Sequence, residues 1–81
     1  MRIDVQLFAG ARDRLGRGSV QLELSDDATV ADLRRRLTTD FPVLADLVQR
    51  AMLAVDAEYA SDNQSLRSAS EIALIPPVSG G

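Results

Sequence analysis

The chain has 81 residues, 46% hydrophobic and 26% charged, with a formal net charge of −3. That is the size and composition of one globular domain able to bury a modest core, and its acidic balance gives no general attraction to nucleic acid or an anionic membrane. Cysteine and histidine are absent, which excludes a disulfide framework, a thiolate nucleophile, cysteine or histidine metal sites and the commonest general base.

Met1-Arg2-Ile3-Asp4 runs directly into a strand with no long apolar stretch. Neither a signal peptide nor a membrane span is expected, and the cytoplasm is the default location. Over Arg2–Phe8, Ile3, Val5 and Leu7 alternate with Arg2, Asp4, Gln6 and Phe8. This predicts a half-buried strand with Phe8 as an apolar residue on its outer face. Residues 9–18 read as a connection with a helical turn over Ala11–Leu15, ended by Gly16. Its arginines, Arg12, Arg14 and Arg17, read as solvated charges. Ser19–Ser25 alternates again, Val20, Leu22 and Leu24 facing inward, and forms a hairpin with the first strand.

Asp26-Asp27-Ala28-Thr29 is a helix-start signal. Thr29 and Asp32 have capping-box spacing, with Asp in place of Glu. Val30, Leu33, Leu37 and Phe41 form one apolar stripe at helical spacing. Arg34, Arg35 and Arg36 fall largely off that stripe, and in an acidic chain with few aromatics they read as a solvated face, not a nucleic-acid patch. Phe41-Pro42 breaks the helix, and Leu44, Leu47 and Val48 suggest a second short one. Ala51–Val55 reads as a short apolar strand, Asp56-Ala57-Glu58 as a turn and Tyr59-Ala60 as a brief return. Ser61–Ser65 is a polar loop, from which Leu66 plugs the core. Glu71–Ile75 is apolar on both faces, as central strands are. The first and last strands are expected side by side and parallel, with the helices covering one face.

Two prolines stop the last strand. Proline lacks an amide hydrogen and keeps the preceding residue extended. The chain then divides into a domain, 1–75, and an extended tail, Pro76-Pro77-Val78-Ser79-Gly80-Gly81, whose reactive group is the α-carboxylate of Gly81. Gly80 and Gly81 carry no Cβ, so such a tail can thread a narrow channel. All nine basic residues are arginine, so no side-chain amine of the chain could capture an activated Gly81. On the sheet face left uncovered by helices, Phe8, Tyr59 and Ile75 are expected to form an exposed docking patch at the root of the tail.

The segment Ile75-Pro76-Pro77-Val78-Ser79-Gly80-Gly81, with Leu7-Phe8-Ala9 closing the first strand and Ala54-Val55-Asp56 ahead of the final segment, resembles the molybdopterin synthase small subunits. These are ubiquitin-like sulfur carriers. The resemblance implies an α+β domain of the β-grasp fold: a mixed four- to five-stranded sheet, helices packed on one face and a flexible C-terminal tail. It implies that a ubiquitin-activating-type adenylyltransferase adenylates Gly81 at the expense of ATP, and that a sulfur donor system converts it to a thiocarboxylate. The sulfur would then pass to cyclic pyranopterin monophosphate, held by the synthase large subunit in a heterotetramer. On this reading the chain binds no cofactor or metal and is not an enzyme alone. Phe8, Tyr59 and Ile75 match the family's hydrophobic contact positions. The family's Gly-Asp turn before the last strand is replaced here by Ser68-Ala69-Ser70-Glu71. Three alternatives stay open: a related carrier for thiamine thiazole synthesis or tRNA thiolation, a ubiquitin-like modifier that forms amide bonds, and an interaction module whose tail is never activated.

Overall fold

The structure, a computed structural model, describes residues 1–77. The expectations for Val78, Ser79, Gly80 and Gly81 lie outside the described residues. Strand β1 (Arg2–Leu7) buries Ile3, Val5 and Leu7 and exposes the residues between them. It pairs antiparallel with β2 (Ser19–Glu23), Ile3 opposite Leu22 and Val5 opposite Val20, so the buried residues share one face. The connection is more regular than a single turn. Helix α1 (Ala9–Leu15) is entered at Ala9 with φ 50° and closed by Gly16 at φ 75°, whose N–H donates to the Arg12 carbonyl at 2.9 Å. Glycine takes that left-handed conformation without a Cβ penalty.

Helix α2 (Val30–Asp40) starts at the expected capping box. The Thr29 N–H donates to the Asp32 carboxylate at 2.9 Å, and the Asp32 N–H donates back to the Thr29 hydroxyl at 3.4 Å. The N–H groups of Val30 and Ala31 donate to the carbonyls of Gln64 and Asp62, at 3.0 and 2.8 Å. The polar loop at 61–65 thus satisfies donors that a helix start otherwise leaves open. Val30, Leu33 and Leu37 are fully buried, while Phe41 sits just past the helix, partly buried, with the Arg17 guanidinium 5.5 Å from its ring centroid. Proline at 42 cannot continue the α-helical ladder. Pro42–Leu44 instead forms a 3-10 turn leading into helix α3 (Ala45–Arg50), and Leu44, Leu47 and Val48 are buried.

Arg35 and Arg36 are exposed, as a solvated face requires, but Arg34 is drawn inward and is only 21% exposed. Arg34 donates to the carbonyls of Val48 and Ala51 at 2.7 and 2.8 Å and pairs with Asp62 at 2.8 Å. Arg36 donates to the Glu23 carbonyl at 2.7 Å and pairs with Asp40, and Arg35 pairs with Asp32. Arg14, on α1, donates to the Val43 carbonyl and to Asp46, at 3.2 and 2.5 Å. A short helix such as α3 leaves terminal carbonyls unpaired, and a guanidinium carries five N–H donors in a fork that reaches several acceptors at once. Arg34 therefore ties α2, α3 and the loop at 61–65 together.

Strands β3 (Met52–Val55), β4 (Glu58–Tyr59) and β5 (Ile72–Ile75) complete a five-stranded sheet of order β2-β1-β5-β3-β4. Central β5 runs parallel to β1 and antiparallel to β3. This is the mixed α+β sheet of the β-grasp arrangement. Its core gathers Val5, Leu7, Leu53 and Leu74 from the strands, Leu33, Leu37 and Val48 from the helices, and Leu66 from the loop. Among the described residues, no helix is long and apolar enough to cross a membrane.

Candidate functional site

The helices lie on the face lined by Ile3, Val5, Leu7, Ile72 and Leu74. The opposite face is open, and pleating decides what it shows. In β5 that is Ala73 and Ile75, both partly exposed and alternating with the buried Ile72 and Leu74. In β3 it is Met52, opposite Ile75, and Ala54, opposite Ala73. In β4 it is Tyr59, opposite Ala54 and 68% exposed. Phe8 follows β1 in extended conformation and is 48% exposed. Leu7 lies beside Leu74 in the parallel ladder, which brings Phe8 to the level of Ile75.

Phe8, Tyr59 and Ile75, three residues distant in sequence, therefore line one cavity of about 350 Å³ together with Ala54, Ala57, Glu71 and Ala73. The hollow exists because its floor is alanine: Ala54 and Ala73 face each other across β3 and β5 where longer side chains would fill the space. The rest of this face, on β1 and β2, carries Arg2, Asp4, Gln6, Gln21 and Glu23. The apolar patch is thus confined to the β5–β3–β4 side.

That side is where the chain leaves the sheet. Ile75 is the last residue of β5. Pro76 is buried and Pro77 exposed. Pro76 is thus buried at alternate spacing to Ile72 and Leu74, one residue past the end of β5.

The turn at the head of β5 is held from across the sheet. The Asp56 carboxylate accepts the N–H groups of Ser70 and Glu71 at 2.9 and 2.8 Å, and the Asp56 N–H donates to the Glu71 carbonyl at 2.7 Å. Asp56 and Ala57 have φ of 51° and 71°, the left-handed geometry of a two-residue hairpin turn. This answers the replacement of the Gly-Asp turn by Ser68-Ala69-Ser70-Glu71: a side chain from the β3–β4 turn fixes the segment. Sequence reasoning missed this role of Asp56, and it missed Met52, which is 47% exposed beside Ile75. Residues 52–55 are apolar throughout, so no polar alternation marks Met52 as the outward residue.

A second hollow, of about 510 Å³, lies on the helix side and is lined by Arg34, Thr38, Thr39, Gln49 and Asp62 among others. Arg34 there is already engaged by Asp62 and two carbonyls. Two carboxylates of the helix layer are held below the usual range: Asp32 by the Thr29 backbone N–H, with help from the Thr29 hydroxyl and Arg35, and Asp46 by its bond from Arg14. No cluster of potential metal ligands occurs among the described residues.

Comparison with known proteins agrees with this geometry. Residues 5–81 match the model of the ThiS family. The molybdopterin synthase sulfur carrier subunit of Dictyostelium discoideum is 38% identical over 80 residues, covering 95% of this chain and 93% of that protein. The crystal structure of SAMP1 from Haloferax volcanii, a small archaeal modifier protein, has a TM-score of 0.85 at 27% identity, with all of both chains covered. Subunits of a molybdopterin-converting factor from Helicobacter pylori, solved as a complex of subunits 1 and 2, include a chain of the same fold, with a TM-score of 0.68 at 21% identity and all of both chains covered. A matched family model over nearly the whole length, on a β-grasp sheet with an open apolar face at its exit strand, makes this chain a member of the ThiS family, with molybdopterin synthase sulfur carrier subunits among its relatives.

Proposed function

We propose that this chain is the sulfur carrier subunit of a molybdopterin synthase, and that the carboxylate of Gly81 carries the sulfur. The observation that supports this best is continuity. Ile75 lines the open-face cavity, and the six residues Pro76–Gly81 follow it directly. A partner seated on Phe8, Tyr59 and Ile75 would therefore receive the tail as well.

The chemistry follows from the end group. A carboxylate is a poor electrophile. Transfer of AMP from ATP, by an adenylyltransferase of the ubiquitin-activating type, turns one carboxylate oxygen into part of a good leaving group. A sulfide-level sulfur nucleophile from the donor system then attacks the acyl carbon, its C–S bond replacing the C–O bond to AMP. AMP leaves to give a thiocarboxylate, nucleophilic at neutral pH. The synthase large subunit would hold cyclic pyranopterin monophosphate and accept the sulfur, as two carriers and two large subunits in a heterotetramer. The Helicobacter pylori neighbour, solved as a complex of subunits 1 and 2 of a molybdopterin-converting factor, supports the choice of partner. The chain would act as a consumed and regenerated co-substrate in the cytoplasm, and its lack of histidine and cysteine suits catalysis by the partner's side chains. The likeness to a small archaeal modifier protein favours a second reading, in which the same activated Gly81 ends as an amide on a protein amine.

Intact mass separates the two. After incubation with ATP, an activating enzyme and a sulfur source, the carrier reading expects a gain equal to replacement of one oxygen by sulfur, lost on deletion of Gly81. An unchanged mass with a competent activating enzyme, or amide adducts on added proteins in its place, would overturn it.

A further inference from the structure

The lining of the open-face cavity is apolar apart from one residue. Phe8, Ala54, Ala57, Tyr59, Ala73 and Ile75 surround it, and Glu71 stands at its rim. Glu71 is exposed. Among the described residues it has no ion-pair partner, whereas Arg14, Arg34, Arg35, Arg36 and Arg50 are each committed to an aspartate elsewhere. Its backbone is held on both sides by Asp56, through the Glu71 N–H at 2.8 Å and the Glu71 carbonyl at 2.7 Å. The carboxylate therefore springs from a fixed point, one residue ahead of the strand that ends at Ile75.

We propose that Glu71 is a specificity-determining residue of this docking face, and that it selects a segment of the large subunit presenting an apolar side chain with an arginine or lysine beside it. The proposal rests on the reading of this face as the large subunit's seat. An apolar occupant of the cavity takes water from the rim. A carboxylate left there without a partner pays the desolvation cost unmatched, while one met by a cation regains it. A neutral or acidic segment of equal shape is thus disfavoured, and discrimination arises from the wrong partner's penalty as much as from the right partner's bond.

The test is calorimetric titration of the full-length carrier into the isolated large subunit at low and high salt, with thermal unfolding of each variant alongside. Glu71→Gln is expected to weaken binding several-fold at low salt and Glu71→Arg by roughly tenfold or more, both with a flatter salt dependence than the parent. Ile75→Asp is expected to weaken binding at either salt concentration. If Glu71→Arg binds like the parent while Ile75→Asp does not, the face docks but Glu71 selects nothing, and the proposal falls. If Ile75→Asp also binds like the parent, the docking reading itself falls.

Discussion

The two faces of the sheet are made by the same strands and differ in what covers them. On one, Val5, Leu7, Ile72 and Leu74 are sealed beneath the helices. On the other, Phe8, Met52, Tyr59 and Ile75 meet solvent around a floor of alanines. Leu74 and Ile75 are adjacent, similar in size and chemistry, and differ only in the side of the pleat they occupy. Stability should therefore reside in one and recognition in the other.

The largest effect expected from this contrast is on stability. Leu74 is fully buried, and truncating a buried leucine to alanine costs about 2–5 kcal/mol, a large share of the roughly 5–15 kcal/mol that holds such a domain together. Leu74→Ala should lower the urea midpoint steeply. A loss below about 1 kcal/mol would erase the distinction between the faces.

A smaller effect, confined to the helix layer, is expected in acid. Asp32 and Asp46 sit on α2 and α3, and both are held below the usual carboxylate range by the hydrogen bonds they accept. A carboxyl group depressed by folding contributes stability that is present above its unfolded pKa, about 3.9, and is lost as pH falls through its folded value. Urea midpoints should thus hold steady down to about pH 4 and then decline. Asp32→Asn should give a shallower decline. An identical acid limb in that variant would mean that the capping box contributes nothing to the pH dependence.

Much of this was legible in the chain because short-range rules govern it. Strict alternation at residues 2–8 assigned Ile3, Val5 and Leu7 to the core, and the Thr29–Asp32 spacing announced the cap of α2. The apolar residues at 8, 59 and 75 were legible as a surface once the strand order was inferred. What escaped depended on partners far along the chain. Nothing local to Arg34 shows that the carbonyls of Val48 and Ala51 will lie within its reach. Asp56 reads as an ordinary turn residue until the head of β5 is placed against it. Met52 declares itself only through its register opposite Ile75, and Pro76 looks like the start of a tail until its burial beside the core strand is seen.

The most direct measurement is the affinity of Phe8→Asp for the large subunit, taken with its thermal unfolding. Phe8 occupies the N-cap position of α1 and makes no side-chain cap bond there, whereas aspartate is among the preferred N-cap residues. The substitution removes the aromatic group from the proposed docking face without opening the core. The expected result is an unfolding temperature equal to or above the parent's, with binding weakened by about 2 kcal/mol or more, roughly thirtyfold. Unchanged affinity, or loss of the fold, would contradict the assignment of this face to recognition.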